Sequence, residues 1–170
     1  HCTVAFFPTV NRDTASFVLG HSEAKLLFVG KLDLPNWDEI KQGIDSSIPC
    51  IAFPLAPSTD YDKWDDIMAS AEPLDGNPTR EADDRAMIIY TSGSTGTPKG
   101  VAHGFGPMSI SARGMVRELE VNSNDRCLSY LPLAHVFERA YIECTSFIAR
   151  SHVYFAESLD TFVQDLQRAQ

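Results

Sequence analysis

The sequence predicts an α/β fold in which a mainly parallel sheet is covered by helices on both faces, the doubly wound, three-layer arrangement. Short runs that are apolar throughout are typical of strands buried inside such a sheet. Between these runs lie stretches whose apolar residues recur at helical spacing. The two kinds of segment alternate along a chain of 170 residues with no internal repeat. This alternation favours parallel strands joined by helices.

The strands are predicted from six short runs rich in apolar and β-branched residues. These runs are residues 3–7, 26–29, 50–53, 86–90, 127–131 and 152–155. The run at 86–90 contains no charged residue, so we expect a central strand that is covered on both faces.

The helices are predicted from apolar spacing together with capping residues. Asp13, Asn36 and Asp60 can each accept a hydrogen bond from the first turn of a helix. They predict helices over 14–22, 37–42 and 61–69. Apolar residues at helical spacing predict two more, over about 105–119 and 137–148. Asp160 is the predicted cap of a last helix, which begins at Thr161.

The segment 72–84 is the clearest linker in the chain. It contains two prolines, one glycine and five acidic residues, a composition that favours exposed, irregular backbone. It is interpreted as a possible boundary between two α/β lobes or as a long surface loop.

The charge balance excludes several classes of partner. With 14 Lys and Arg against 23 Asp and Glu, the formal net charge is −9, which makes nucleic acid an improbable main partner. An anionic membrane surface is disfavoured for the same reason. A small nucleotide remains compatible, because backbone N–H groups bind phosphate without net positive charge.

The cysteines and the hydropathy indicate a cytoplasmic protein. Cys2, Cys50, Cys127 and Cys144 are widely spaced and form no C-x-x-C pair, so we expect reduced thiols rather than disulfides or a zinc site. No apolar run approaches the roughly 20 residues of a transmembrane helix, and we predict no such segment. Peripheral membrane association of the complete protein stays open.

A loop of small and hydroxylated residues follows the predicted central strand. Its residues are Thr91, Ser92, Gly93, Ser94, Thr95, Gly96, Thr97, Pro98, Lys99 and Gly100. Glycines let a ligand approach the backbone amides closely, hydroxyls add donors, and Lys99 adds a positive charge. Such a loop at the carboxyl end of a strand is suited to wrapping the phosphates of a nucleotide.

The loop differs from two common nucleotide-binding patterns. A Walker loop needs glycine and Ser or Thr at the positions of Pro98 and Gly100. The G-x-G-x-x-G pattern is also absent. A flexible Ser/Gly linker is the plain alternative, but it gives no reason for a lysine behind a proline between two apolar regions.

Residues 90–100, Tyr-Thr-Ser-Gly-Ser-Thr-Gly-Thr-Pro-Lys-Gly, closely resemble the signature loop of the adenylate-forming (AMP-binding) enzymes. These are the acyl-CoA synthetases, the luciferases and the adenylation domains of peptide synthetases. Residues 130–139, Tyr-Leu-Pro-Leu-Ala-His-Val-Phe-Glu-Arg, are similar to the next motif in its long-chain fatty acyl-CoA synthetase form. Softer matches at 7–9 and 21–25 complete the order of the N-terminal domain.

The resemblance implies activation of a long-chain fatty acid by ATP, first to an acyl-adenylate and then to acyl-CoA, with ATP, Mg²⁺ and coenzyme A as cofactors or co-substrates. On this basis residues 91–99 hold the phosphates of ATP, and Thr91 helps to hold Mg²⁺. Lys99 stabilises the departing pyrophosphate. His135 lies beside the carboxylate and the adenylate. Glu138 and Arg139 are interpreted as an exposed charge pair, and the segment after Lys99 predicts an abbreviated strand.

The chain starts at His1 rather than methionine and lacks the later motifs of the family. We therefore expect residues 1–170 to be a fragment of the AMP-binding domain, inactive in isolation, with exposed apolar surface that favours self-association. Two alternatives stay open: a ligase for an aryl, short-chain or amino acid, and a non-catalytic nucleotide-binding module.

Overall fold

The computed structural model describes residues 1–76, 78–91 and 96–169. Eight β-strands form within these residues. They are β1 (Thr3–Ala5), β2 (Leu27–Val29), β3 (Cys50–Ala52), β4 (Asp62–Lys63), β5 (Arg85–Thr91), β6 (Lys99–Gly104), β7 (Arg126–Ser129) and β8 (His152–Phe155).

Helices separate most of the strands. The α-helices are α1 (Arg12–His21), α2 (Leu34–Ile40), α3 (Trp64–Ser70), α4 (Phe105–Glu118), α5 (Cys144–Ala149) and α6 (Phe162–Arg168). A short 3₁₀ helix, Lys41–Gly43, follows α2, and a π-helical segment, Glu138–Glu143, precedes α5.

The strands pair mostly in parallel and lie in three small sheets. The orders are β1-β5-β6, β2-β3-β4 and β7-β8. The pairs β1–β5, β2–β3, β3–β4 and β7–β8 are parallel, and β5 is central in its sheet as expected. The predicted α/β class with largely parallel strands is therefore confirmed, although the strands divide among several sheets. Pro49 and Pro54 lie on either side of β3 and limit its length, because proline cannot donate a ladder hydrogen bond.

The chain divides into two compact units. The first unit comprises His1–Phe7, Arg80–Ile89 and Val101–Gln170, and the second comprises Pro8–Thr79 and Tyr90–Gly100. One change of unit, between Thr79 and Arg80, falls within the segment 72–84 that the sequence marks as a linker. The role of that segment as a lobe boundary stays a prediction.

In the second unit, α1 and α2 begin earlier than the sequence predicts. Asn11, rather than Asp13, caps α1, because its side-chain oxygen accepts a hydrogen bond from the Thr14 amide at 2.9 Å. Asp33, rather than Asn36, caps α2 by accepting from the Asn36 amide at 2.8 Å. Both predicted caps were wrong, because each true cap is an Asx residue only two or three positions upstream.

Two other predicted helix starts were wrong. Residues 62–63 pair with β3, so α3 begins at Trp64 and Asp60 does not cap it. Thr161, rather than Asp160, precedes α6, and its hydroxyl lies 2.7 Å from an Asp165 carboxylate oxygen.

Apolar packing holds each unit together. In the second unit, the inward face of α1 (Ala15, Val18 and Leu19) is buried together with Trp37 and Ile40. In the first unit, Met87, Ile89 and Met108 form the centre of a buried cluster, against which Ala140 and Cys144 pack. Because both faces of β5 are buried, packing fixes the position of this strand.

The surface also carries large apolar side chains. Phe147, Phe155 and Leu159 are each at least 75% exposed, and self-association through such surface stays a prediction. All four cysteines are free, and none is fully buried: Cys2 is exposed and the other three are half-buried. Among the described residues, no helix combines the length and apolarity that crossing a bilayer demands.

Candidate functional site

The predicted site residues fall in both units. Thr91 and residues 96–99 belong to the second unit, and His135 belongs to the first. Ser92, Gly93, Ser94 and Thr95, which the sequence also assigns to phosphate binding, lie outside the described residues.

The ends of the predicted phosphate loop are the ends of two neighbouring strands. Thr91 is the last residue of β5 and Lys99 the first residue of β6, and these strands are hydrogen-bonded neighbours in one sheet. β6 has six residues, so the strand after Lys99 is well formed. Both stems of the loop are thereby supported by the same sheet.

The described part of the loop has the backbone that its composition predicts. Gly96 has a φ of +83°, a conformation that costs any other L-residue roughly 1–2 kcal/mol. Thr97 is exposed and Pro98 is half-buried. This arrangement leaves backbone and hydroxyl groups accessible to a ligand.

Lys99 is an exposed cation at the start of β6. Within residues 1–76, 78–91 and 96–169, its ammonium group makes no ion pair with a carboxylate. In a chain with a net charge of −9, such a cation is available to an external anion. A lysine ammonium acts toward phosphate oxygens as a mobile point charge with three donors.

Thr91 is the residue that the family resemblance links to magnesium. No three His, Cys, Asp or Glu side chains gather into a metal-holding group in the part of the chain that the structure describes. Mg²⁺ often takes only one or two protein oxygens and fills its shell with water and phosphate oxygens. The exposed Thr91 hydroxyl at the end of β5 fits the role of such a single ligand.

His135 is held in a turn that follows β7 in the first unit. Its backbone amide donates to the Pro132 carbonyl at 2.8 Å, and its carbonyl accepts from the Arg139 amide at 3.2 Å. The ring lies edge-on to Phe7, with 6.5 Å between centroids and an angle of 89°. These contacts fix a half-buried imidazole at the start of the helical segment that follows.

The hydrogen bond of the His135 ring determines which nitrogen carries the proton in the neutral form. Nδ1 lies 3.2 Å from the Phe137 amide and accepts its hydrogen. In the neutral ring the proton must then sit on Nε2, because a nitrogen that accepts a hydrogen bond uses its lone pair. Nε2–H is therefore the donor that this ring offers to a ligand oxygen.

The sequence interpretation of Glu138 and Arg139 as an exposed charge pair was wrong. Glu138 is only 1% exposed, and its Oε1 accepts a hydrogen bond from the Ser129 hydroxyl at the end of β7. Its Oε2 is buried without a hydrogen-bond partner among the described residues. Burial and the negative charge of Glu138 together raise the pKa of the nearby Cys127 thiol.

Arg139 pairs with a different carboxylate, one helical turn away. Its guanidinium contacts both oxygens of Glu143, at 3.0 and 2.7 Å, and donates to the Thr3 hydroxyl at 3.0 Å. Arg139 thus ties the π-helical segment to β1 within the first unit. Opposite charges three or four residues apart on a helix commonly form an ion pair. Glu143 lies four residues after Arg139, so the sequence contained the signal for this pair.

The Ser129–Glu138 contact makes a prediction about stability. We expect Ser129→Ala to lower the free energy of unfolding by about 1–3 kcal/mol, because both buried carboxylate oxygens then lack a donor. The double variant Ser129→Ala, Glu138→Met replaces both partners with apolar groups and should recover much of that loss. Urea unfolding of the complete protein, followed by circular dichroism, measures the difference. A double variant less stable than Ser129→Ala would contradict this interpretation.

Comparison with known proteins matches the whole chain to one family. A family model described as AMP-binding enzyme matches residues 1–170. The chain is 28% identical over 158 residues to long chain acyl-CoA synthetase 4 of Arabidopsis thaliana, covering 83% of this chain and 24% of the relative. It is 35% identical over 121 residues to the 2-succinylbenzoate–CoA ligase of Bacillus licheniformis, covering 71% of this chain and 22% of the relative.

A solved structure shows the same fold. The anthranilate CoA ligase AuaEII, in complex with anthranoyl-AMP, matches with a TM-score of 0.82 and 18% identity, over 98% of this chain and 33% of that one. This likeness confirms the α/β fold predicted from the sequence. The chain spans less than a quarter of the length of the two curated relatives.

Proposed function

Because the chain belongs to the AMP-binding enzyme family of adenylate-forming ligases, we propose that it carries the ATP phosphate-binding loop of a long-chain fatty acid–CoA ligase. In the first half-reaction a carboxylate oxygen attacks the α-phosphorus of ATP, and pyrophosphate leaves. In the second, the sulfur of coenzyme A attacks the acyl carbonyl, and AMP leaves. The thiol loses its proton as the thioester forms.

The proposal rests on the positions of two residues: Thr91 is the last residue of β5, and Lys99 is the first residue of β6. Lys99 begins β6 as an exposed cation with no carboxylate partner in the described ranges. Chemistry at phosphorus requires mainly the positioning and stabilisation of negative charge. Lys99 holds the β- and γ-phosphates and stabilises the pyrophosphate that forms. The Thr91 hydroxyl would help to hold Mg²⁺, which would supply positive charge to neutralise the phosphates.

His135 has a separate role in this proposal. Its Nε2–H, set by the Phe137 amide at Nδ1, donates a hydrogen bond to an oxygen of the acid or of the acyl-adenylate. A donor of this kind orients the acid and stabilises charge on the reacting carboxyl group. His135 does not need to exchange a proton for this purpose.

One substitution tests the proposed donor role of His135 Nε2 independently of the acceptor at Nδ1. We expect His135→Asn to lower the rate of adenylation by about 10²-fold, because the asparagine side chain retains an acceptor near the position of Nδ1 but has no atom at Nε2. The start of the helical segment should be preserved, since the Phe137 amide keeps its acceptor. Stopped-flow measurement of pyrophosphate release in the complete protein gives the rate, and circular dichroism gives the control. An unchanged rate would contradict a donor role for Nε2.

The choice of a long-chain acid rests on residues 131–139 and on the acyl-CoA synthetase relative. The 2-succinylbenzoate–CoA ligase relative favours the alternative of an aromatic acid. A non-catalytic nucleotide-binding module is the second alternative. We place the reaction in the cytoplasm, which is supported by the four free thiols, with small molecules rather than nucleic acid as partners.

A panel of acids tests the proposed substrate. The complete protein is incubated with ATP, Mg²⁺, coenzyme A and either palmitate, acetate, benzoate or 2-succinylbenzoate, and acyl-CoA and AMP are measured by chromatography. Palmitoyl-CoA in excess over the other products supports the proposal. Preference for an aromatic or short-chain acid would overturn the long-chain assignment, and the absence of AMP with every acid would favour a non-catalytic module.

A further inference from the structure

Tyr90 is the last buried residue before the predicted phosphate loop. Its side chain is 7% exposed, whereas Thr91, the next residue, is exposed at the end of β5. The position of Tyr90 therefore determines where the backbone leaves the protein interior. Any contact that fixes Tyr90 also fixes the starting point of the loop.

The Tyr90 hydroxyl is bound by His21, the last residue of α1. Its oxygen lies 2.7 Å from His21 Nδ1, and both residues belong to the second unit. The two rings meet edge to face, with 5.8 Å between centroids and an angle of 83°. The distance is that of a good hydrogen bond.

Phe17, one helical turn before His21 on α1, completes the contact. The Phe17 and His21 rings stack with 5.2 Å between centroids and an angle of 22°, and Phe17 meets Tyr90 edge to face at 6.5 Å. Phe17 therefore limits the rotation of both rings. The three side chains form one aromatic cluster between α1 and the end of β5.

The hydrogen bond is available in either protonation state of His21. Burial raises the pKa of Tyr90, so the phenol keeps its proton at neutral pH. A neutral His21 can accept that proton's hydrogen bond at Nδ1, and a protonated His21 donates from Nδ1 to the phenol oxygen instead. The hydrogen bond can therefore form whether or not the His21 ring is protonated.

We propose that His21 and Tyr90 are positioning residues for ATP, because their hydrogen bond fixes the end of β5, where the exposed Thr91 lies. This inference rests on the proposed function, in which Thr91 and Lys99 contact MgATP. Small displacements of a group that binds a reacting ligand are costly. The hydrogen bond joins residues 69 positions apart, so no local sequence pattern predicts it.

Calorimetric titration of the complete protein with MgATP tests the inference. We expect Tyr90→Phe to raise the Kd for MgATP by up to about 5-fold, because the free energy of the lost hydrogen bond is the most that the loss of positioning can cost. His21→Phe, which retains a ring on Phe17, should raise it equally. The double variant should be no weaker than either single variant, because both changes remove the same contact. His21→Asn, which keeps an acceptor near Nδ1, should restore most of the affinity.

Tyr61→Phe is the matched control. Tyr61 is a half-buried tyrosine of the same unit whose ring meets Trp37 edge to face at 6.2 Å, so it tests the loss of a tyrosine hydroxyl at a position that does not contact His21 or the end of β5. An unchanged Kd in Tyr90→Phe, or a Kd raised equally in Tyr61→Phe, would overturn the inference.

Lys99→Ala, titrated in parallel, separates the two proposals. If Lys99→Ala weakens MgATP binding while Tyr90→Phe does not, only the positioning role fails. If wild-type protein does not bind MgATP, or Lys99→Ala binds it as tightly as wild type, the proposed function fails and the positioning role fails with it.

Discussion

Replacement of Lys99 by alanine should lower kcat/KM for acid-dependent ATP consumption by about 10²–10³-fold, the usual cost of removing one group that stabilises developing charge. Lys99 is an exposed cation at the start of β6 with no carboxylate partner within the described residues. Its charge is therefore not used by the fold, and its removal should leave the melting temperature unchanged. Steady-state kinetics of the complete protein measure the effect.

The control for Lys99 is Lys25→Ala, which removes the same charge from another exposed position of the second unit. It should change kcat/KM less than about 2-fold, because the proposal gives Lys25 no contact with ATP and an exposed charge is largely screened by salt. Equal losses in both variants would mean that only net charge matters. Full activity of Lys99→Ala would exclude Lys99 as the phosphate contact.

Substitution of Gly43 by alanine is expected to be strongly destabilising, because the added methyl group has no room. A Cβ on Gly43 would lie 2.3 Å from the Arg12 carbonyl oxygen and 3.0 Å from the Ser16 amide nitrogen. Both atoms belong to the backbone of α1, so neither can move without displacing the helix. Overpacking of this kind costs about 3 kcal/mol, which corresponds to a fall in the apparent Tm of roughly 6–12 °C.

Gly20→Ala is the matched control, since Gly20 lies in α1 itself and a Cβ there would meet nothing within 4 Å. Alanine should stabilise that helix by up to about 1 kcal/mol. Thermal unfolding of the complete protein compares both variants with wild type. A Gly43→Ala protein as stable as wild type would contradict the close packing of α1 on the 3₁₀ helix.

The helix starts show why element boundaries were harder to predict than element types. Asn11 and Asp13 are both good caps, and the choice between them depends on contacts from elsewhere. The Arg12 amide donates to the Glu39 carboxylate at 3.1 Å, which supports an earlier start of α1. For α2 the signal was present in the sequence, because Pro35 falls in the first turn, where proline is favoured.

The candidate site residues were proposed from motifs that are contiguous in sequence, the loop at 91–99 and the segment around His135, and their roles stay predictions. The contacts that support them could not be predicted in this way. Glu138 was interpreted as exposed because a charged residue usually is, yet it is buried against Ser129. The contact between His21 and Tyr90 depends on how α1 packs, which no short pattern encodes.

The proposed function requires that an acyl-adenylate forms before coenzyme A reacts. The most direct measurement is the exchange of labelled pyrophosphate into ATP by the complete protein, with Mg²⁺ and palmitate but without coenzyme A. We expect exchange that requires palmitate and that falls by about 10²-fold in Lys99→Ala. Pyrophosphate exchange that does not depend on any acid, or release of ADP and phosphate instead, would contradict the formation of an acyl-adenylate.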